Sequence, residues 1–237
     1  MREATQKPAV LFVHGIQGSP RQFDFLIRAL PEGTPYRCLA LPGHGGSVKQ
    51  FRKSGREAWE QAVRQAAIEL GQSHGRVIFV GHSMGCLLGI RAAVKDELPF
   101  EKMLLIACPL KIRLTMRYLR EAYIVSTGRP ADDPGALAMR NANSVSARKP
   151  ILYLSCVRPY LELLRLIREV NRIPDKPLLR ATAAFPAHDE IVSPKSWDLA
   201  RLAWRFAPVP LPHSTHQYFP SQDQQTLQSI LRAMIGQ

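Results

Sequence analysis

The stretch Val77 to Val94, VIFVGHSMGCLLGIRAAV, limits what this chain can fold into more than any other. A short apolar, β-rich run enters Gly81-His82-Ser83-Met84-Gly85, and a pattern of helical periodicity begins at once. A strand that passes into a helix through so short a turn holds its serine in a strained conformation, and the flanking glycines keep side chains from colliding. The motif alone is weak evidence. Strand, G-x-S-x-G and helix in that order make a nucleophile elbow, which presents a serine hydroxyl at the end of a strand.

Further apolar runs occur at Ala9 to Val13, Cys38 to Leu41, Met103 to Ala107, Leu178 to Phe185 and Trp204 to Leu211. Helical patterns separate the early ones, at Gln22 to Ala29, Glu57 to Leu70 and Met84 to Val94. This alternation predicts an α/β fold, a parallel sheet with helices on both faces. The rhythm breaks between Pro109 and Pro177, a connection too long for a single crossover helix. The expected division is therefore a core of residues 1–109 and 178–237 with a small helical lid inserted at 110–177. Within the insertion Ile112 to Ile124 and Tyr160 to Asn171 read as helices, and Gly128 to Gly135 as loop. A last helix is expected over Asp223 to Met234.

With 46% apolar and 22% charged residues the chain can bury a core, which excludes intrinsic disorder. No apolar run approaches the ~18 residues of a membrane span, and MREATQKP lacks the apolar stretch of a secretory signal, so a cytoplasmic location is expected. The cysteines stand singly, without metal-ligand spacing. A net charge of +13 attracts acidic partners. Nucleic acid is not expected among them, since no helix-turn-helix, zinc-finger spacing or aromatic-interleaved basic stretch is present.

Beyond the elbow, His14-Gly15-Ile16 with Gly18-Ser19-Pro20, Leu41-Pro42-Gly43-His44-Gly45, and Ala187-His188-Asp189-Glu190-Ile191-Val192 give the chain its family look. It resembles the α/β-hydrolase superfamily over nearly its whole length, and more narrowly the small bacterial carboxylesterases and monoacylglycerol lipases. The family's usual first two strands are expected to be missing, so that the resemblance implies a mostly parallel sheet of about six strands. The resemblance implies an α/β-hydrolase fold and a triad in the order serine, acid, histidine: Ser83, Asp189 and His216. Glu190 competes locally for the acid, and His213 is the other histidine after Asp189. His14 and His44 match loop-bracing histidines. Backbone N–H groups of Ile16 and Met84 are the expected oxyanion donors, and no cofactor or metal is implied. The expected substrate is a small-molecule ester or lipid, cleaved by a serine esterase. A thioesterase or acyl-carrier-protein ester hydrolase is the alternative, as is a non-catalytic scaffold that binds a ligand.

From Lys111 to Arg172 there are twelve Lys or Arg and five Asp or Glu, so the insertion holds +7 of the net +13. Arg113, Arg117 and Arg120 form a stripe beside Ile112, Met116, Leu119 and Tyr123, and Arg165, Arg168 and Arg172 repeat the pattern beside Leu161, Leu164, Ile167 and Val170. This spacing predicts an apolar face over the pocket and a basic rim outside it, making Arg113, Met116, Arg117, Arg120 and Tyr123 candidate substrate contacts. Such a rim fits an anionic lipid surface or an acyl carrier protein. The same arginines also fit a plain solvated face.

Overall fold

In the computed structural model, residues 7–98, 100–113, 115–127, 134–145, 155–174 and 176–236 are described. Strands β1 (Ala9–Val13) and β3 (Val77–His82) are buried at every position. That is why they read as unbroken apolar runs: a parallel strand between two helical layers has no solvent face. Successive side chains divide between the layers, as a period of two requires. Leu11 and Phe79 join a core with Trp59, Val63, Leu87 and Ile90. Phe12 and Ile78 join the opposite one with Leu227 and Leu231.

With β2 (Tyr36–Leu39), β4 (Phe100–Ile106), β5 (Ala181–Pro186) and β6 (Ala207–Leu211), these strands form a six-stranded sheet in the order β2-β1-β3-β4-β5-β6. Every pairing is parallel. The chain runs outward from β1 to β2, then returns across β1 to β3. The strand order therefore reverses between β1 and β3, and the loops leaving their carboxyl ends open a crevice there.

The helices of the core are α1 (Asp24–Ile27), α2 (Val48–Phe51), α3 (Arg56–His74), α4 (Met84–Lys95), α8 (Lys195–Asp198) and α9 (Ser221–Ile235), with a π-helical turn at Leu199–Ala203. Trp204 ends that turn instead of opening β6. Edge strand β6 carries Pro208 and Pro210, which an edge tolerates because it has a free side.

Between β4 and β5 lie α5 (Met116–Thr127), α6 (Pro134–Ala142) and α7 (Val157–Arg172). Helix α6 is an addition to the two expected helices, opened by a proline at its first position. The loop expected from Gly128 overlaps its start, and residues 128–133 lie outside the described set. Helix α7 buries Leu166, Ile167 and Val170. Its Glu169 pairs with Arg56 of α3 and, at 2.8 Å, with Arg91 of α4, which also holds Glu60 of α3.

Helix α5 corrects one expectation. Met116, Leu119 and Tyr123 point to solvent, at 80%, 49% and 52% exposure, and the buried side carries Glu121 with Tyr118. Local polar bonds set this rotation. The Thr115 hydroxyl accepts the Tyr118 N–H and donates to the Glu190 carbonyl, while Arg117 pairs along the helix with Glu121 at 2.7 Å. No helix among the described residues is long and apolar enough to cross a membrane.

Candidate active site

Ser83 stands between β3 and α4 with φ 50° and ψ −121°, a conformation that costs about 1–3 kcal/mol and persists only where the surroundings enforce it. Enforcement comes from both sides of the turn. The Ser83 N–H donates to the Ile106 carbonyl at the end of β4. Gly85 lets α4 sit directly on β1, since a Cβ there would lie 2.0 Å from the Val13 carbonyl oxygen. Gly15 does the same for the loop after β1, where a Cβ would lie 2.9 Å from Ser83 Cβ.

His216 comes from the loop between β6 and α9. Asp223 in the first turn of α9 is buried and shapes this loop, accepting the Ser214 hydroxyl at 2.6 Å and the His213 N–H at 2.9 Å. The His216 Nε2 lies 3.1 Å from Ser83 Oγ, and its Nδ1 lies 2.9 Å from Asp189 Oδ2. Asp189 lies in the loop between β5 and α8, and its other oxygen accepts the N–H groups of Ile191 at 2.8 Å and Val192 at 2.7 Å. The carboxylate is thus fixed by its own backbone before it meets the imidazole.

Burial pushes the Asp189 carboxyl up, but the His216 ring and the two amides outweigh it and hold it below the usual range. Burial works against a charged His216, yet Asp189 and then Glu190 raise it above an ordinary histidine. A neutral His216 can take a proton from Ser83, and the acid behind it favours the charged form that results.

The structure brings Ser83, Asp189 and His216 into one hydrogen-bonded chain. Ile16 shares a cavity wall with Ser83, and Met84 is the first residue of α4, where a backbone N–H has no partner within its helix. His213 is exposed and takes no part. Glu190 receives the backbone N–H of His216 and does not touch the ring nitrogens. His14 accepts the Leu41 N–H at 3.1 Å and packs edge-on to His44, which in turn meets Phe51 and Trp59. Burial and then the neighbouring His44 lower His14 to about 3, so it stays neutral and can accept that bond.

The cavity beside Ser83 measures about 130 Å³ and is mostly apolar. The core supplies Ile16, Gln17, Ser83, Ile191 and His216, and the segment between β4 and β5 supplies Pro109, Ile112, Tyr118, Met139, Ala142, Asn143, Tyr160 and Leu163. Arg113, Met116, Arg117, Arg120 and Tyr123 are not among its walls. Arg113 instead reaches the Asp189 carbonyl from outside, at 3.4 Å. Across Ala142, Asn143 and Gln217 the cavity adjoins a wider polar cleft that includes Arg21 and Arg140.

Several of these contributors escape sequence reasoning. Tyr118 lies on the polar side of α5, and the Tyr160 hydroxyl reaches Gln17 Oε1 at 2.9 Å across 143 residues. Asp223 had a readable signal, an acidic residue in the first turn of a helix close to a histidine loop.

Solved structures share this architecture. A metagenome-derived lipolytic enzyme of the LipS and LipT pair superposes with a TM-score of 0.73 at 17% identity, covering 99% of this chain and 95% of its own. The monoacylglycerol lipase of Paleococcus ferrophilus gives 0.68 at 15% identity, covering 98% and 96%. A thioesterase domain from the curacin biosynthetic pathway gives 0.63 at 13% identity, covering 96% and 92%. No curated protein matches the chain in sequence. The sequence model of the alpha/beta hydrolase family matches residues 10–234, and with the elbow, the parallel sheet and the strand reversal in place, the chain belongs to that family.

Proposed function

We propose that this chain is a serine hydrolase that cleaves carboxylic esters with small acyl groups, of the carboxylesterase or monoacylglycerol lipase type. The observation that carries the reading is the chain from Ser83 Oγ through His216 to Asp189, at 3.1 and 2.9 Å, opening on an apolar cavity of about 130 Å³. His216 removes the Ser83 proton as Oγ attacks the carbonyl carbon. Asp189 fixes the imidazole tautomer and stabilises the imidazolium. The oxyanion is received by the N–H groups of Ile16 and Met84, each donor being worth about 3 kcal/mol of barrier. His216 returns the proton to the departing alcohol, and water then attacks the acyl-enzyme by the same route. The acyl group occupies the apolar cavity, and the polar cleft beyond Gln217 takes the alcohol.

A thioesterase reading uses the same groups. The outward apolar edge of α5, Met116, Leu119 and Tyr123 beside Arg113, Arg117 and Arg120, favours it, because an acyl group delivered by an acidic carrier or an anionic lipid surface needs such a rim. Hydrolysis of p-nitrophenyl esters from acetate to palmitate, alongside acyl thioesters, separates the two. A rate that is lost in Ser83→Ala and peaks at short esters supports the first reading. Turnover confined to thioesters moves the assignment to the second, and no turnover of either by folded protein leaves a binding scaffold.

A further inference from the structure

Asp189 and Glu190 are adjacent buried carboxylates, and they hold one histidine from two sides. Asp189 meets the ring, while Glu190, only 2% exposed, accepts the His216 backbone N–H on Oε2 at 3.1 Å. Any neutral oxygen could satisfy that N–H. A buried carboxylate is a costly way to do it, because desolvation opposes its charge. The charge is worth its cost where a positive charge develops nearby, and in the proposed reaction one forms on His216 in each half.

We propose that Glu190 is a positioning residue for His216, fixing its main chain and supplying a second negative charge that stabilises the imidazolium. The inference rests on the reading of Ser83, His216 and Asp189 as the catalytic relay. It goes beyond that reading in giving the relay two acids with different attachments.

The groups around Glu190 come from three elements. Its own loop contributes Asp189, the loop before α9 contributes His216, and α5 contributes Tyr118 and Glu121, the latter paired with Arg117. Burial pushes the Glu190 carboxyl up, attraction to His216 opposes this, and repulsion by Asp189 and Glu121 adds to it, leaving it above the usual carboxylate range. Helix α5 therefore bears on the charge behind the histidine, and the Thr115 hydroxyl, bonded to the Glu190 carbonyl at 3.0 Å, fixes its distance.

The test replaces charge without removing the acceptor. Glu190→Gln keeps an oxygen for the His216 N–H and loses the negative charge. The low-field Nδ1 proton of His216 is followed by NMR across pH in wild type and variant, together with Ser83-dependent hydrolysis of p-nitrophenyl acetate. In Glu190→Gln His216 is expected to titrate at lower pH, the acid limb of the rate profile to move with it, and kcat to fall about tenfold with KM little changed. An unchanged His216 titration overturns the proposal, whatever happens to the rate. A shifted titration in a protein that turns over no ester supports the role of Glu190 and counts against the ester-hydrolase reading instead. A second measurement needs no variant: in wild type, the ¹³C resonance of the Glu190 carboxylate is expected to inflect at the His216 midpoint, and a trace without that inflection overturns the proposal.

Discussion

Ser144 and Gln17 lie 127 residues apart in sequence, and two hydrogen bonds join them. The Ser144 N–H donates to the Gln17 carbonyl at 2.8 Å, and its hydroxyl lies 3.2 Å from the same oxygen and 2.5 Å from that of Gly18. Gln17 has φ 56°, which a residue with a side chain rarely adopts, and it directly follows Ile16. The segment between β4 and β5 thus holds the loop that carries the proposed oxyanion donor. Ser144→Ala is expected to lower kcat on a short p-nitrophenyl ester about tenfold through a misplaced donor, with little change in unfolding midpoint. Steady-state kinetics with a urea titration check both halves.

Ser83 carries strain that glycine would not, since its φ is 50°. Ser83→Gly is expected to abolish ester turnover and raise stability by about 1 kcal/mol, seen as a higher Tm. A variant that is inactive but no more stable than wild type would show that the elbow imposes no cost.

The packing of α4 on β1 leaves no room at Gly85, where a Cβ would meet the Val13 oxygen at 2.0 Å. Gly85→Ala is expected to lose about 3 kcal/mol or to fail to fold. Circular dichroism and denaturant midpoint of the purified variant decide this.

Stability is expected to fall as pH drops below 6.5. His14 and His82 are both lowered to about 3, by burial first and then by a neighbouring histidine, His44 and His216 respectively. Between pH 6.5 and about 3 the unfolded chain binds protons at these positions that the folded chain refuses, so acid favours unfolding. Each contributes a slope of up to about 1.4 kcal/mol per pH unit in that window. Urea midpoints at pH 7 and pH 5 report it, and His82→Gln should flatten the dependence.

What the sequence made legible was local. Ser83 could be read because strand, turn and helix are contiguous, and the sheet because strands buried on both faces are apolar throughout. The roles of Asp189 and His216 are legible only through chain order and family likeness; in the structure His216 lies against Ser83 and Asp189 against His216. The face that α5 buries departs from the expected one for a physical reason. A helical wheel assigns apolar residues to the inside, but the inner side of this helix meets Glu190 and is held by Thr115 and the Arg117–Glu121 pair. Bonds from a side chain to a distant main chain, such as Glu190 to His216 or Ser144 to Gln17, leave no periodic trace.

The ion cluster of Arg56, Glu60, Arg91 and Glu169 ties α7 to α3 and α4, whereas α5 and α6 pack chiefly on each other. The three helices between β4 and β5 are therefore not equivalent material for change. Exchanging Met139 on α6 is expected to recut the cavity wall while the riveted helix and its ion cluster stay in place.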